Sequence, residues 1–175
     1  MMRALRPLLL ACALLAPLTA SAEFEHEVKS AFLYQFLSYV DWPEGSFRDV
    51  SEPFVIGVLD ADDVYADLQA IVYGRLAQGR TIEVRKLEDA DDLTGLHMIC
   101  VGEAGRLALS DLAPKTGVLV VGEGERALDH GATISLVRAG DHVRFQVALG
   151  TAERQGLKIS SRMLAVAQLV KRGPR

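Results

Sequence analysis

Phe54-Val55-Ile56-Gly57-Val58-Leu59 is a six-residue apolar run with no polar alternation. A strand of that kind is covered on both faces, as in a parallel sheet, because an antiparallel strand with one wet face would alternate. Two more runs repeat the pattern, Met98 to Gly102 and Val118-Leu119-Val120-Val121. Helical spacing separates them. Asp62-Asp63 opens a segment with Val64, Leu68, Ile71 and Val72 on one face, closing near Gly74. Thr81 to Arg85 alternates as a strand, Asp89 to Leu93 reads as a helical turn, and Arg106 to Leu112 reads as a short helix before Pro114. Strands alternating with helices indicate βαβ units.

The pattern changes after Gly131. Thr133 to Leu136 and Val143 to Val147 flank Ala139-Gly140-Asp141, the signature of an antiparallel hairpin. Ser160-Ser161 then opens a closing helix with Met163, Leu164, Val166, Ala167 and Val170 inside, ended by Gly173-Pro174. Upstream, Val28, Phe32, Phe36 and Val40 recur every four residues, so 25–40 reads as a helix that Asp41-Trp42-Pro43 terminates. The expected fold is α/β. It is a three-layer, mostly parallel sheet of about six strands with a C-terminal antiparallel hairpin and helices on both faces.

The first 22 residues read as an address rather than as structure. Arg3 and Arg6 precede the apolar stretch Leu8 to Leu18, and Thr19-Ala20-Ser21-Ala22 ends in an A-x-A cleavage pattern. That is a secretory signal peptide. The apolar stretch is shorter than the ~20 residues a bilayer core requires. Leu9-Leu10-Ala11-Cys12 loosely resembles a lipobox, which is the competing reading. Cleavage after Ala22 leaves 23–175 as one secreted domain with no transmembrane helix. Cys100 is then the one remaining thiol, set in an apolar run as a small core hydrophobe.

Charge excludes one class of partner. The chain carries 19 Lys and Arg against 23 Asp and Glu, and two of the bases lie in the leader. The acidic remainder has no basic run longer than a dipeptide, so no nucleic acid is expected as a ligand.

Motifs for chemistry are weak. Gly122-Glu123-Gly124-Glu125-Arg126-Ala127 fits G-x-G-x-x-[GA], but it follows a late strand and carries two acids that would repel a pyrophosphate, so it reads as a turn. Asp60-Ala61-Asp62-Asp63 reads as helix capping and N-terminal charge. Glu88-Asp89 and Asp91-Asp92 read as a solvated loop. His26, His97, His130 and His142 show no metal-ligand spacing and read as surface or cap residues. There is no G-x-S-x-G elbow or S-x-x-K. The expectation is a non-enzymatic protein with no metal and no cofactor.

Several stretches exceed what the fold needs. Tyr39-Val40-Asp41-Trp42-Pro43 follows Glu27 to Tyr34, and Val143 to Val147 leads to Gly156-Leu157-Lys158-Ile159-Ser160-Ser161-Arg162-Met163-Leu164. In that order and spacing, together with Gly131-Ala132-Thr133-Ile134, they resemble the YfiR family of periplasmic proteins. The resemblance implies an α/β sheet between helices. It also implies a regulator that binds and represses an inner-membrane diguanylate cyclase or sensor histidine kinase through its periplasmic segment, lowering cyclic-di-GMP and biofilm formation. Ala148 stands where the family commonly has Asn, and one mature cysteine cannot form the disulfides of the best-known member.

Four residues are the candidate partner-binding set: Trp42, Arg144, Gly156 and Ser160. Trp42 reads either as core packing or as an aromatic interface anchor. Arg144 reads either as a tether to an acid in the same domain or as part of a surface. A periplasmic small-ligand receptor using the carboxyl-end crevice of the sheet, an uncharacterised hydrolase and a homodimer stay open beside the regulator.

Overall fold

The computed structural model describes residues 18–89, 93–110 and 116–173. The apolar stripe along α1 (Leu18–Tyr39) centres on Leu33, Phe36 and Leu37, all essentially inaccessible. The helix begins upstream of residue 25 and stops one residue early. Val40 belongs to the two-residue strand β1 (Val40–Asp41). A chain reversal then delivers β2 (Phe54–Leu59), whose six residues are all buried, as an unbroken apolar run requires.

α2 (Asp62–Val72) crosses to β3 (Ile82–Leu87), which pairs with β2 in parallel. β4 (Met98–Val101) lies on the other side of β2, and β5 (Leu119–Glu123) follows beside it. The short helix expected at 106–112 is a 3-10 helix at Ala104–Ser110; its expected end at 111–112, Pro114 and the helical turn at 90–92 lie outside the described residues. A second 3-10 turn, Ala127–His130, leads to β6 (Ile134–Ala139), parallel to β5. The hairpin to β7 (His142–Ala148) is antiparallel as expected. Ala139 faces His142 across a two-residue turn, and Gly140 supplies the positive φ of +62 that such turns demand.

The C-terminus differs from the expected single helix. α3 (Leu149–Arg154) leads to β8 (Lys158–Ile159), and α4 (Ser161–Val166) ends after six residues. Ala167 is extended, and β9 (Leu169–Lys171) joins β7 in parallel. The main chain of β7 would otherwise be an open edge, and pairing it outweighs continuing a short helix. Lys171 ion-pairs with Asp129 at 2.8 Å. The main sheet therefore has seven strands, ordered β3-β2-β4-β5-β6-β7-β9, and β1 pairs with β8 in a separate antiparallel ladder.

Alternating side chains divide the core. Phe54, Ile56, Val58, Met98, Cys100, Leu119 and Val121 face α1 and α2. Val55, Leu59, Ile99, Val101, Val118 and Val120 face the 3-10 segments with Leu109 and Ala127. That second layer is thin, and glycine in the sheet permits it. A Cβ at Gly122 would lie 2.7 Å from that of Ala127.

Candidate functional site

The end of α1 determines where Trp42 goes. A helix leaves its last carbonyls without intrahelical partners. Here the Gln78 side-chain amide donates to Leu37 O at 2.7 Å and to Val40 O at 2.9 Å. Asp41-Trp42-Pro43 then turns under the amino ends of the parallel strands. The Trp42 indole N–H donates to the main-chain carbonyl of His97 at 3.1 Å, and its ring stands edge-on to Phe54 with centroids 4.9 Å apart. Trp42 is half-buried, so packing and an accessible edge coexist.

His97 is the centre of this region, and it overturns the surface-or-cap expectation for that histidine, being only 3% exposed. Its Nδ1 accepts from the Val55 main-chain N–H at 3.1 Å. Nε2 must therefore carry the proton and donates to Ser46 O at 3.0 Å. Burial holds the imidazole below its ordinary pKa, partly opposed by the Ser46 bond, so it stays neutral. Phe47 stacks on the ring at 4.2 Å, and the Arg80 guanidinium covers Phe47 at 3.9 Å. Arg80 also donates to the carbonyls of Asp49 and Glu52. The result pins the segment after Trp42 to the sheet.

Gly156 and Ser160 meet this segment from the other side. Val40 pairs with Ile159 and Asp41 with Lys158. Gly156 ends α3 at φ +74, and a Cβ there would lie 3.3 Å from Pro43 Cγ. The Ser160 main-chain N–H donates to Tyr39 O at 2.9 Å, and its hydroxyl caps α4 by accepting from Met163 N. Three of the four sequence candidates thus converge on the β1–β8 ladder. Arg144 lies elsewhere. It is exposed on β7, against a cleft of about 270 Å³ that also borders Phe24, Glu25, Arg138 and His142. It makes no ion pair among the described residues, so the tether reading is not met.

The carboxyl ends of the strands are built differently. Lys29 of α1 bridges Glu25 at 2.8 Å and Glu123 at 2.7 Å, and Arg138 reaches Glu25 at 3.2 Å. Burial alone would lower the Lys29 pKa, but the bonds to Glu123 and Glu25 hold it above the ordinary value. Cys100 is fully buried nearby, as expected of a core residue, and burial together with the Glu123 charge pushes its thiol pKa far up. Asp60 takes a left-handed turn at φ +54, packed so closely on Gly102 that a Cβ there would meet Asp60 O at 2.0 Å. The acids at 60–63 do not cap α2 through hydrogen bonds, since Ala61 holds that position. Asp62 pairs with Lys86, and Asp63 with His26. The glycine-rich segment at 122–127 is a strand end and a turn into a four-residue 3-10 helix. No group of three or more His, Cys, Asp or Glu among the described residues could hold a metal ion. No helix among them is long and apolar enough to cross a membrane.

A family model described as YfiR/HmsC-like matches residues 26–168, which include the Trp42-Pro43 turn, the β6–β7 hairpin and the Gly156 to Ser161 segment. The chain belongs to the YfiR/HmsC-like family. This YfiR/HmsC-like chain has no match among curated proteins. Its fold is shared with the crystal structure of a conserved domain protein from Vibrio cholerae, at 14% identity and a TM-score of 0.50. That match covers 83% of this chain and 60% of the other, so the Vibrio chain is considerably longer than the shared part. A Streptococcus ABC domain in complex with L-Trp aligns with a TM-score of 0.46 at 12% identity, over 67% of this chain and 55% of that one.

Sequence reasoning missed His97, Phe47, Arg80 and Gln78 as parts of the site. A histidine abutting the apolar run Met98 to Val101 was the available signal for burial. Gln78 gave none, because its role depends on where α1 ends.

Proposed function

We propose that the chain is an exported, non-enzymatic regulator. It binds the periplasmic segment of an inner-membrane diguanylate cyclase or sensor kinase and holds its output down. The observation that carries this reading is the YfiR/HmsC-like match across 26–168. In the resemblance that match supports, the family's best-known member represses a membrane diguanylate cyclase. The leader at 1–22 supplies the route: cleavage after Ala22 leaves Glu23–Tyr39 of α1 on the mature domain. The edge of Trp42, with Gly156 and Ser160 beside it, forms one candidate contact surface and Arg144 a second. Half-buried aromatic and arginine side chains are the types that anchor interfaces.

The small-ligand alternative draws on the carboxyl-end crevice, where α/β folds bind ligands. Lys29, Glu25 and Glu123 occupy that end with one another, which favours the regulator.

Affinity capture from solubilised membranes tests the proposal. The tagged protein is expected to retain an inner-membrane cyclase or kinase, and its deletion to raise that partner's output. Capture of no membrane protein, with unchanged cyclic-di-GMP and kinase output on deletion, would sink it.

A further inference from the structure

β3 is one of the two outer strands of the main sheet, the other being β9, and among the described residues it is paired on one side only. The Phe54 N–H donates to Thr81 O, so the main-chain groups of Thr81, Glu83, Arg85 and Leu87 face β2. Those of Ile82, Val84 and Lys86 consequently face away, and no strand among the described residues meets them. Such a row is a template for another strand. Beside it runs a groove of about 450 Å³ bordered by Val72, Tyr73, Leu76, Ile82 and Val84. Tyr73 is 89% exposed and Leu76 55%, so apolar surface lies uncovered beside this edge.

The charges on β3 can be read as edge protection, which is the ordinary use of Lys, Arg and Glu there. Their order says more. Opposite residues of an antiparallel pair share a face, so a two-fold axis through Val84 sets Glu83 against Arg85 of a second copy, twice. It sets Val84 against Val84 and Ile82 against Lys86. The residues whose main chains face outward then fall at the hydrogen-bonded positions. Glu83 and Arg85 fall at the non-hydrogen-bonded positions, where side chains are closest. Moving the axis by one residue in either direction places Glu83 on Glu83 or Arg85 on Arg85, which is repulsive. Glu83 is exposed, and Arg85 spends one donor on Thr94 O at 3.2 Å, leaving the rest of its guanidinium for a partner.

We infer that β3 is the dimerisation edge of this chain. Two copies pair antiparallel about Val84 and continue their sheets into one, with the Glu83–Arg85 cross-pairs fixing the register. The partner is a second copy, because the strand is charge-complementary to itself in one register.

Sedimentation of the mature protein tests this. A dimer is expected at micromolar concentration. Glu83→Arg and Arg85→Glu are each expected to weaken it about tenfold, because each turns two attractive cross-pairs into repulsive ones. The double exchange Glu83→Arg with Arg85→Glu is expected to restore it. Both sites are exposed, so circular dichroism should be unchanged. Val84→Cys is expected to yield a disulfide-linked dimer on oxidation, since the ~5.5 Å Cα separation of a hydrogen-bonded pair suits a disulfide. A protein that is monomeric throughout would overturn the inference, as would a dimer indifferent to the single reversals. A monomer that binds an extended foreign peptide along β3 would overturn it as well.

Discussion

The two ends of the parallel sheet solve the same problem with opposite chemistry. At the amino end Trp42, Phe47, Phe54 and His97 pack ring against ring, edge-on except for the stacked Phe47–His97 pair, and the Arg80 guanidinium lies over the Phe47 ring and bonds main-chain carbonyls. At the carboxyl end Glu25, Lys29, Glu123 and Arg138 form a chain of ion pairs. Open α/β sheets conventionally keep the carboxyl end for ligands. Here that end is satisfied internally, and Trp42, Gly156 and Ser160 meet at the amino end. Function in this chain is therefore sought at the less usual end of the fold.

The largest expected effect is at the carboxyl end. Lys29→Met leaves Glu123, whose side chain is 11% exposed, without its cation. Breaking a buried pair from one side costs about 3–5 kcal/mol, and the residual exposure puts this case near the lower value. Urea denaturation measures it, and a loss under about 1 kcal/mol would show that solvent, not Lys29, stabilises Glu123.

Next comes Trp42→Ala. A fully buried Trp costs about 3–5 kcal/mol on truncation, so a half-buried one should cost about 2–3. Trp42→Phe should keep the fold while losing the bond to His97 O, and weaken partner binding. If Trp42→Ala proves fully abundant and still represses a demonstrated partner, the amino end is not the regulatory surface. Gly156→Ala should cost about 1–2 kcal/mol, because alanine is strained at φ +74.

Acid should separate the two ends. His97 has its pKa lowered by burial, so below its ordinary value of 6.5 the unfolded chain takes up a proton before the folded one does. Stability from the amino end is full above that value and falls as pH drops toward the folded pKa. Once protonated, Nδ1 would face the Val55 N–H as a second donor. Glu25 is lowered chiefly by its bond to Lys29, so its contribution persists to its ordinary value of 4.5 and is lost below it. Thermal melts should show two successive losses, the first absent in His97→Phe. A single loss below pH 4.5 would break the contrast. The smallest effect is Ser160→Ala, about 1 kcal/mol for a lost helix cap, with a melting point a few degrees lower as the check.

These expectations divide along a line already visible in the elements. β2, β4 and β5 were legible because burial on both faces demands continuous apolar runs, which local sequence records. The hairpin was legible from Gly140. Trp42, Gly156 and Ser160 were each legible as unusual, and all three lie within the residues 26–168 that the family model matches. Their meeting was not legible, because β1 and β8 are two residues each, too short for any periodicity. The strand β9 was read as helix for a related reason. Ser160 and the apolar spacing after it are compatible with either state, and the free edge of β7 chose between them. His97 illustrates the limit most plainly. Its sequence position fixed it beside β4, but only the approach of Ser46, Phe47 and Trp42 from elsewhere in the chain made it a buried, neutral hydrogen-bonding centre. Local composition determines which segments must leave water. Which polar groups can follow them inside is settled by the partners that the tertiary fold brings within hydrogen-bonding distance.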